Sequence, residues 1–222
     1  HAMLLAVSGR TRAVLNLGGI ANITVLAADG SVRGFDTGPA NGLLDAWCQR
    51  HQGQPFDRDG VFAASGQVHQ GLLDAMLADD YFALPPPKST GREYFHLDWL
   101  AARSPVASLK PADVQATLLE LTGRSVAAAV AQHAATADEV LACGGGVHNR
   151  LLMRRLGELL APRTLCSTAE HGIDPDFLEA TAFAWLARQR LLNLPGNLPA
   201  VTGARGPRVL GAIYSAPRSG WS

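Results

Sequence analysis

Net charge is the first thing this sequence lacks. Nineteen Lys and Arg stand against 19 Asp and Glu in 222 residues, for a formal charge of zero. A balanced chain has no long-range attraction for a nucleic-acid backbone or an anionic membrane surface, so neither is expected as a partner. Cysteine is scarce as well. Cys48, Cys143 and Cys166 are odd in number and widely spaced, unlike a disulfide framework, and a reducing, cytoplasmic compartment is expected. No apolar run reaches the length of a membrane span, and the start lacks the basic-then-apolar build of a signal peptide. Nor is the first residue an initiator methionine, although Met3 is a candidate initiator behind a tag remnant. What remains is ordinary for a globular protein: 47% hydrophobic and 17% charged residues, enough for one large or two modest domains with a real core.

The chain is organised around residues 13–41, AVLNLGGIANITVLAADGSVRGFDTGPAN. Apolar, β-branched runs at 13–17, 20–26 and 32–36 are joined by Gly18-Gly19 and by Asp29-Gly30, the pattern of an antiparallel meander. Paired glycines let backbone amides approach a ligand closely, and concave amide clusters bind anions such as phosphate. The third strand is expected to end at Asp36, broken by Thr37-Gly38-Pro39, which sets a carboxylate at a strand end beside the hairpin. The same residues also read as an ordinary turn and a turn-capping aspartate.

Further along, Asn41 is expected to cap a helix over 42–51, stopped by Gly53. Asp57 and Asp59 before Gly60 look like the opening of a calcium loop, but the bidentate glutamate that such a loop needs is missing. A helix over 60–77 is predicted, interrupted by Gly66 and Gly71. Pro85, Pro86 and Pro87 force an extended path into the polar run 88–93, and 97–101 suits a short helix. Pro111 opens a long helix to about 134. A short buried strand at 139–142 runs into Gly144-Gly145-Gly146. Asn149 caps a helix through 160, 164–167 is a strand, and Asp176 is expected to cap a last helix over 177–192, ahead of an irregular tail.

The order is β-β-β-α, a helical and loop insert at about 53–108, then α-β-α-β-α. That is the ribonuclease-H-like α/β fold with a mixed sheet, as in both halves of the actin, heat-shock and sugar-kinase superfamily. In that superfamily one glycine-bearing hairpin cradles phosphate, and a second glycine turn lies against the nucleoside. Gly144-Gly145-Gly146 stands between a strand and a helix N-terminus, where backbone donors favour such a ligand. It is not a Walker loop, since no lysine with serine or threonine follows, and it is not a dinucleotide fingerprint, whose sixth position is Asn149 here.

The blocks LNLGGIANIT, GFDTGPAN, FDRDG, PKSTGREYF, DVQATL, CGGGVHN, LEATAFAWLA and GPRVLGAIY resemble, in order, those of anhydro-N-acetylmuramic acid kinases. The resemblance implies an ATP- and Mg²⁺-dependent enzyme of bacterial cell-wall recycling. Such an enzyme opens the 1,6-anhydro ring of anhydro-N-acetylmuramic acid and phosphorylates O6. It further implies that Gly18 and Gly19, with Asn16 and Asn22, cradle the β- and γ-phosphates. Gly144, Gly145 and Gly146, with His148 and Asn149, would hold the adenosine side. Asp36 would be the general base and Glu179 a sugar contact, with no residue assigned as a metal ligand. The family's Gly-Thr-Ser-x-Asp-Gly hairpin occurs nowhere in this sequence. The chain is therefore expected to be the C-terminal half of a two-domain kinase, inactive alone, with a homodimer left open. Two other readings stand beside it: a kinase of the same superfamily acting on another sugar or carboxylate, or a non-catalytic nucleotide-binding half-domain.

Overall fold

The computed structural model describes residues 1–103 and 106–214. The glycine turns fold the first part of the chain into three antiparallel strands, β1 (Arg12–Leu17), β2 (Ile20–Leu26) and β3 (Val32–Pro39). Asp29 tightens the second turn by accepting from the Ser31 amide at 2.8 Å. Two further strands, β4 (Glu139–Cys143) and β5 (Thr164–Ser167), add in parallel on the other side of β1, giving the order β3-β2-β1-β4-β5. Three antiparallel strands followed by two parallel ones is the expected ribonuclease-H-like sheet.

Five helices of eight residues or more occur among the described residues: α1 (Asn41–Gln52), α2 (Gln70–Leu77), α3 (Pro111–His133), α4 (Arg150–Leu160) and α5 (Leu178–Leu191). The stripe Val114, Leu118, Leu121, Val126 and Val130 is buried, and with Leu15, Leu17 and Ile23 it forms the main core on one face of the sheet. Removing any one of these side chains would cost about 2–5 kcal/mol. The opposite face carries a smaller cluster of Val14, Leu26, Leu141, Cys143, Cys166 and Leu178. Helix α5 is thinly covered there: Phe183 is 65% and Leu191 is 72% exposed. None of the described helices is long and apolar enough to cross a membrane.

Several sequence expectations need correction. Strand β3 does not stop at Asp36 but runs on to Pro39, because a bulge at Ala21/Asn22 absorbs the irregular backbone and Thr37 Oγ1 donates to the Ala21 carbonyl at 3.2 Å. Proline is tolerated because β3 is an edge strand and needs no outward N–H there. Asn41 is not a side-chain cap. The hairpin carbonyls satisfy the first turn of α1 instead, Gly19 O accepting from Ala40 and Gly42 N, and Gly18 O from Asn41 N. Of the two interruptions expected in the 60–77 helix, the one at Gly66 is present, between Ala64 and Gln70. There Gly66 passes so close to the start of α3 that a Cβ would lie 2.1 Å from the Ala112 carbonyl oxygen. Gly71 sits inside α2 without interrupting it. Asp176 does not cap α5, whose N-cap is Phe177, because its carboxylate turns to His148. Among the described residues the tail, 195–214, is irregular apart from a short helix, Pro199–Thr202; residues 215–222 lie outside the described residues.

Candidate active site

The bulged register of the meander lines up three polar residues. Asn16 is opposite Asn22, Asn22 is opposite Asp36, and Asn16 is also opposite Cys143, the last residue before Gly144. Cross-strand partners share a face, so an amide–amide–carboxylate row crosses the sheet beside the Gly18-Gly19 turn. Both hairpin carbonyls are taken by α1, whereas the Gly18 and Gly19 amides have no backbone partner among the described residues. Those two free donors are what an anion cradle requires.

Asp36 is fixed from four directions. Its amide donates to Lys88 O at 3.1 Å, and its carbonyl accepts from the Tyr81 hydroxyl at 2.7 Å. Its Oδ2 accepts from Ser89 Oγ and from the Thr90 amide, both at 2.9 Å. Among the described residues nothing donates to Oδ1, which leaves one basic oxygen for a ligand or water. Burial, and secondarily the Asp36 charge, pushes the Tyr81 phenol above its ordinary range, so it stays a neutral donor. The polar run after the three prolines is therefore the clamp on Asp36. The sequence marked that run as unusually rich in functional groups, but nothing in it placed Ser89 and Thr90 against residue 36.

Arg92, in the same run, was also missed. Its guanidinium covers the hairpin: a Cβ on Gly19 would sit 2.7 Å from Arg92 Nε, and one on Gly42 3.3 Å from it. The guanidinium forms no ion pair or hydrogen bond among the described residues, although its charge opposes the rise in the nearby Asp45 carboxyl.

The second glycine turn separates into two kinds of position. Gly144 adopts φ +80°, and a Cβ there would fall 2.4 Å from Asn16 Oδ1; at Gly146 a Cβ would fall 2.5 Å from Leu17 Cβ. Both are glycine for packing reasons. Gly145 faces open space with nothing within 4 Å. Beside it a groove of about 580 Å³ is lined by Val147, His148, Met153, Ser167, Ala169 and the 174–176 turn. His148 Nε2 lies 2.9 Å from Asp176 Oδ2 at the groove wall. Asn149 Oδ1 is engaged as the cap of α4, accepting from Leu152 N at 3.0 Å. Glu179 is exposed in the first turn of α5, away from any described partner. Asp57 is structural: it caps the next turn through the Phe62 and Ala63 amides at 2.8 and 2.9 Å. Asp59 pairs with Arg150. Among the described residues no group of three metal-ligating side chains lies at the hairpin.

The family description "Anhydro-N-acetylmuramic acid kinase" matches residues 1–216. A relative of that name from Xanthomonas campestris pv. campestris (strain 8004) is 60% identical over 216 residues, covering 97% of this chain and 57% of its own length. Another from Chromohalobacter salexigens is 56% identical over 222 residues, covering 97% of this chain and 60% of its own. The chain thus spans less than two thirds of the length of these relatives. Among solved structures, the activator of the 2-hydroxyisocaproyl-CoA dehydratase from Clostridium difficile with bound ADPNP aligns with a TM-score of 0.44 at 16% identity. That alignment covers 75% of this chain and 56% of that one. With identity this high running almost from end to end, the chain belongs to the anhydro-N-acetylmuramic acid kinase family.

Proposed function

We propose that this chain supplies one wall of the cleft in a two-domain kinase, with a helical and loop insert at 53–108. The intact enzyme converts anhydro-N-acetylmuramic acid, water and ATP to N-acetylmuramic acid 6-phosphate and ADP. The observation that carries the catalytic role is Asp36, anchored on Oδ2 and by both backbone groups, with Oδ1 free beside the anion cradle. In the reaction, Oδ1 takes a proton from water while the water oxygen bonds to the anomeric carbon. The C1–O6 bond breaks, and the released O6 accepts the γ-phosphoryl group as ADP leaves. The two free hairpin amides and the Arg92 guanidinium face the phosphates; charge-assisted bonds of this kind are the stronger class. The open Gly145 side and the adjoining groove suit a ribose and base, as a close backbone approach needs. Asp36 is the only carboxylate in the polar row. That set fits a Mg²⁺ carried on the nucleotide phosphates and waters, where the ion neutralises phosphate charge. Glu179 at the N-terminus of α5 is the proposed sugar contact. Use of ATP, with all three cysteines unpaired and buried, suits a cytoplasmic enzyme.

Asp36→Asn in the full-length protein tests this reading. Folding and nucleotide affinity are expected to persist while turnover falls by at least about 10²- to 10⁴-fold. In the same assay Arg92→Ala is expected to raise KM for ATP. Near-normal turnover of Asp36→Asn would remove it as the base, and an unchanged KM for Arg92→Ala would remove the arginine from the phosphate site.

A further inference from the structure

At the other end of the strands from the polar row, three side chains that the reaction does not use meet on the thinly covered face of the sheet. Glu139 is the first residue of β4, Cys166 lies in β5, and His171 ends the short helical turn Thr168–His171 after it. Glu139 is four residues along β4 from Cys143, about 13 Å at the usual strand rise, so the cluster is separate from the nucleotide turn. Cys166 Sγ is 3.8 Å from Glu139 Oε1 and 3.9 Å from His171 Nε2, and His171 Nε2 is 3.3 Å from Glu139 Oε1.

Those three distances describe one face of a tetrahedron around a metal ion. With Zn–S of about 2.3 Å and Zn–N and Zn–O of about 2.0–2.1 Å, tetrahedral angles put sulfur about 3.5 Å from each partner. They put nitrogen about 3.3 Å from oxygen. The triangle here needs a contraction of only a few tenths of an ångström on its sulfur edges. We propose that Glu139, Cys166 and His171 form a binding site for a divalent transition metal of the zinc class.

The surroundings hold the triangle in place. Arg12 Nε lies 2.9 Å from Glu139 Oε2, and Arg12 also donates to the Leu5 carbonyl, so the carboxylate is oriented with Oε1 toward the thiol and imidazole. Outer partners of this kind fix ligand geometry in metal sites. A capping box, in which Ser167 Oγ accepts from the helical turn and Glu170 reaches back to the Ser167 amide, shapes the turn that returns His171 to Cys166. Glu170 is thereby occupied, and the partly exposed His171 ring leaves the fourth position to water. A mixed sulfur, nitrogen and oxygen set selects Zn²⁺, Co²⁺ or Cd²⁺ over the oxygen-seeking Mg²⁺. The bound ion would clip β4 to the turn after β5.

Cobalt(II) is the probe, added to the purified, metal-stripped, reduced protein. One equivalent is expected to produce a thiolate-to-cobalt charge-transfer band with the intense visible absorption of a tetrahedral site. Zn²⁺ displaces it, and a large excess of Mg²⁺ does not. Cys166→Ser abolishes the charge-transfer band, His171→Ala weakens binding at least tenfold, and Cys48→Ser changes neither. Should Cys166→Ser fail to fold by circular dichroism, His171→Ala decides the question, since that ring is partly exposed and its loss leaves the core intact. No charge-transfer band in the unsubstituted protein, a band that survives Cys166→Ser, or an unchanged affinity in His171→Ala overturns the proposal. The test involves neither ATP nor the sugar, so its outcome is independent of the proposed kinase activity.

Discussion

The Gly144-Gly145-Gly146 turn gives opposite expectations for neighbouring glycines. A methyl group on Gly146 would lie 2.5 Å from the Cβ of Leu17, which is fully buried and cannot retreat. Overpacking of that kind costs about 1–3 kcal/mol. On Gly144 a methyl group meets Asn16 Oδ1 at 2.4 Å, and the residue must also hold φ +80°. With ψ 169° that backbone is essentially reserved for glycine and adds about 1–3 kcal/mol for a residue with a Cβ. For a chain of this size each kcal/mol moves Tm by about 2–4 °C. Gly146→Ala is therefore expected to lower Tm by about 6 °C, and Gly144→Ala by about 10 °C. Gly145 meets nothing within 4 Å and needs no left-handed backbone, so even Gly145→Val should move Tm by less than about 2 °C. Its two methyl groups would, however, occupy the space that the proposed nucleoside site uses beside the backbone. Differential scanning calorimetry of the three apo variants, with calorimetric ATP titration of Gly145→Val in the full-length protein, separates the two roles. The expected pattern is an intact Tm with affinity at least tenfold weaker for Gly145→Val. Unchanged ATP affinity would refute the nucleoside assignment, and a loss of Tm equal to that of Gly146→Ala would refute the packing argument.

Asp45 in α1 gives a pH signature. Burial raises its carboxyl to about 6, with Asp57 adding and Arg92 opposing. The folded state thus favours the proton-bound form, and that contribution is present below about pH 4 and lost as pH rises through about 6. A shift of about two units is worth about 3 kcal/mol at most, and for a half-buried group screening brings it to about 1 kcal/mol. Asp45→Asn is expected to raise Tm by about 2–4 °C at pH 8 and by nothing at pH 4; an equal effect at both values would rule out the titration. The 222-residue chain by itself carries the Gly18-Gly19 hairpin proposed to hold phosphate and no Gly-Thr-Ser-x-Asp-Gly motif. ADP release with the anhydro sugar is expected to be undetectable from it, and activity equal to that of the full-length protein would mean that this wall of the cleft suffices.

Much of the sheet was legible because its signals are local. β-branched runs, Gly-Gly and Asp-Gly turns, Pro111 at a helix start and the Asn149 cap all lie within a few residues of what they specify. Asp36 was legible as a carboxylate near a glycine turn, but its strand was cut short because Thr37-Gly38-Pro39 reads as a break. Pairing resumes only past an extra residue in β3 itself, Thr37, opposite Ala21/Asn22, and the sequence does not announce it. What holds Asp36 was not legible, since Ser89 and Thr90 are 53 and 54 residues away and reach it along the free edge of β3. Asp176 failed as a cap for a similar reason. A side chain at a helix start can turn to a local amide or a distant partner, and here His148, 28 residues away, wins. Nothing periodic marks such pairings. The Glu139–Cys166–His171 cluster was not legible likewise, for Cys166 and His171 are close in sequence but Glu139 joins them only through strand pairing.

The two glycine turns are a single rigid block. Asn41 Nδ2 donates to the Leu17 carbonyl at 2.9 Å, and the Gly146 backbone passes close to both Leu17 and Asn41. Gly144 presses on Asn16, one residue before Leu17, and its amide donates to Pro175 O at the wall of the groove. The Gly18-Gly19 hairpin, the start of α1 and the Gly144-Gly145-Gly146 turn therefore share Asn16, Leu17 and Asn41 as common supports. Backbone packed at these distances has little freedom to shift one turn without the other. On the proposed assignment, donors for the two ends of a nucleotide are thus set at a fixed separation before any ligand arrives, the arrangement that electrostatic stabilisation of phosphoryl transfer requires. Sequence alone presents these turns as two glycine clusters more than a hundred residues apart; parallel pairing of β1 with β4 makes them one surface.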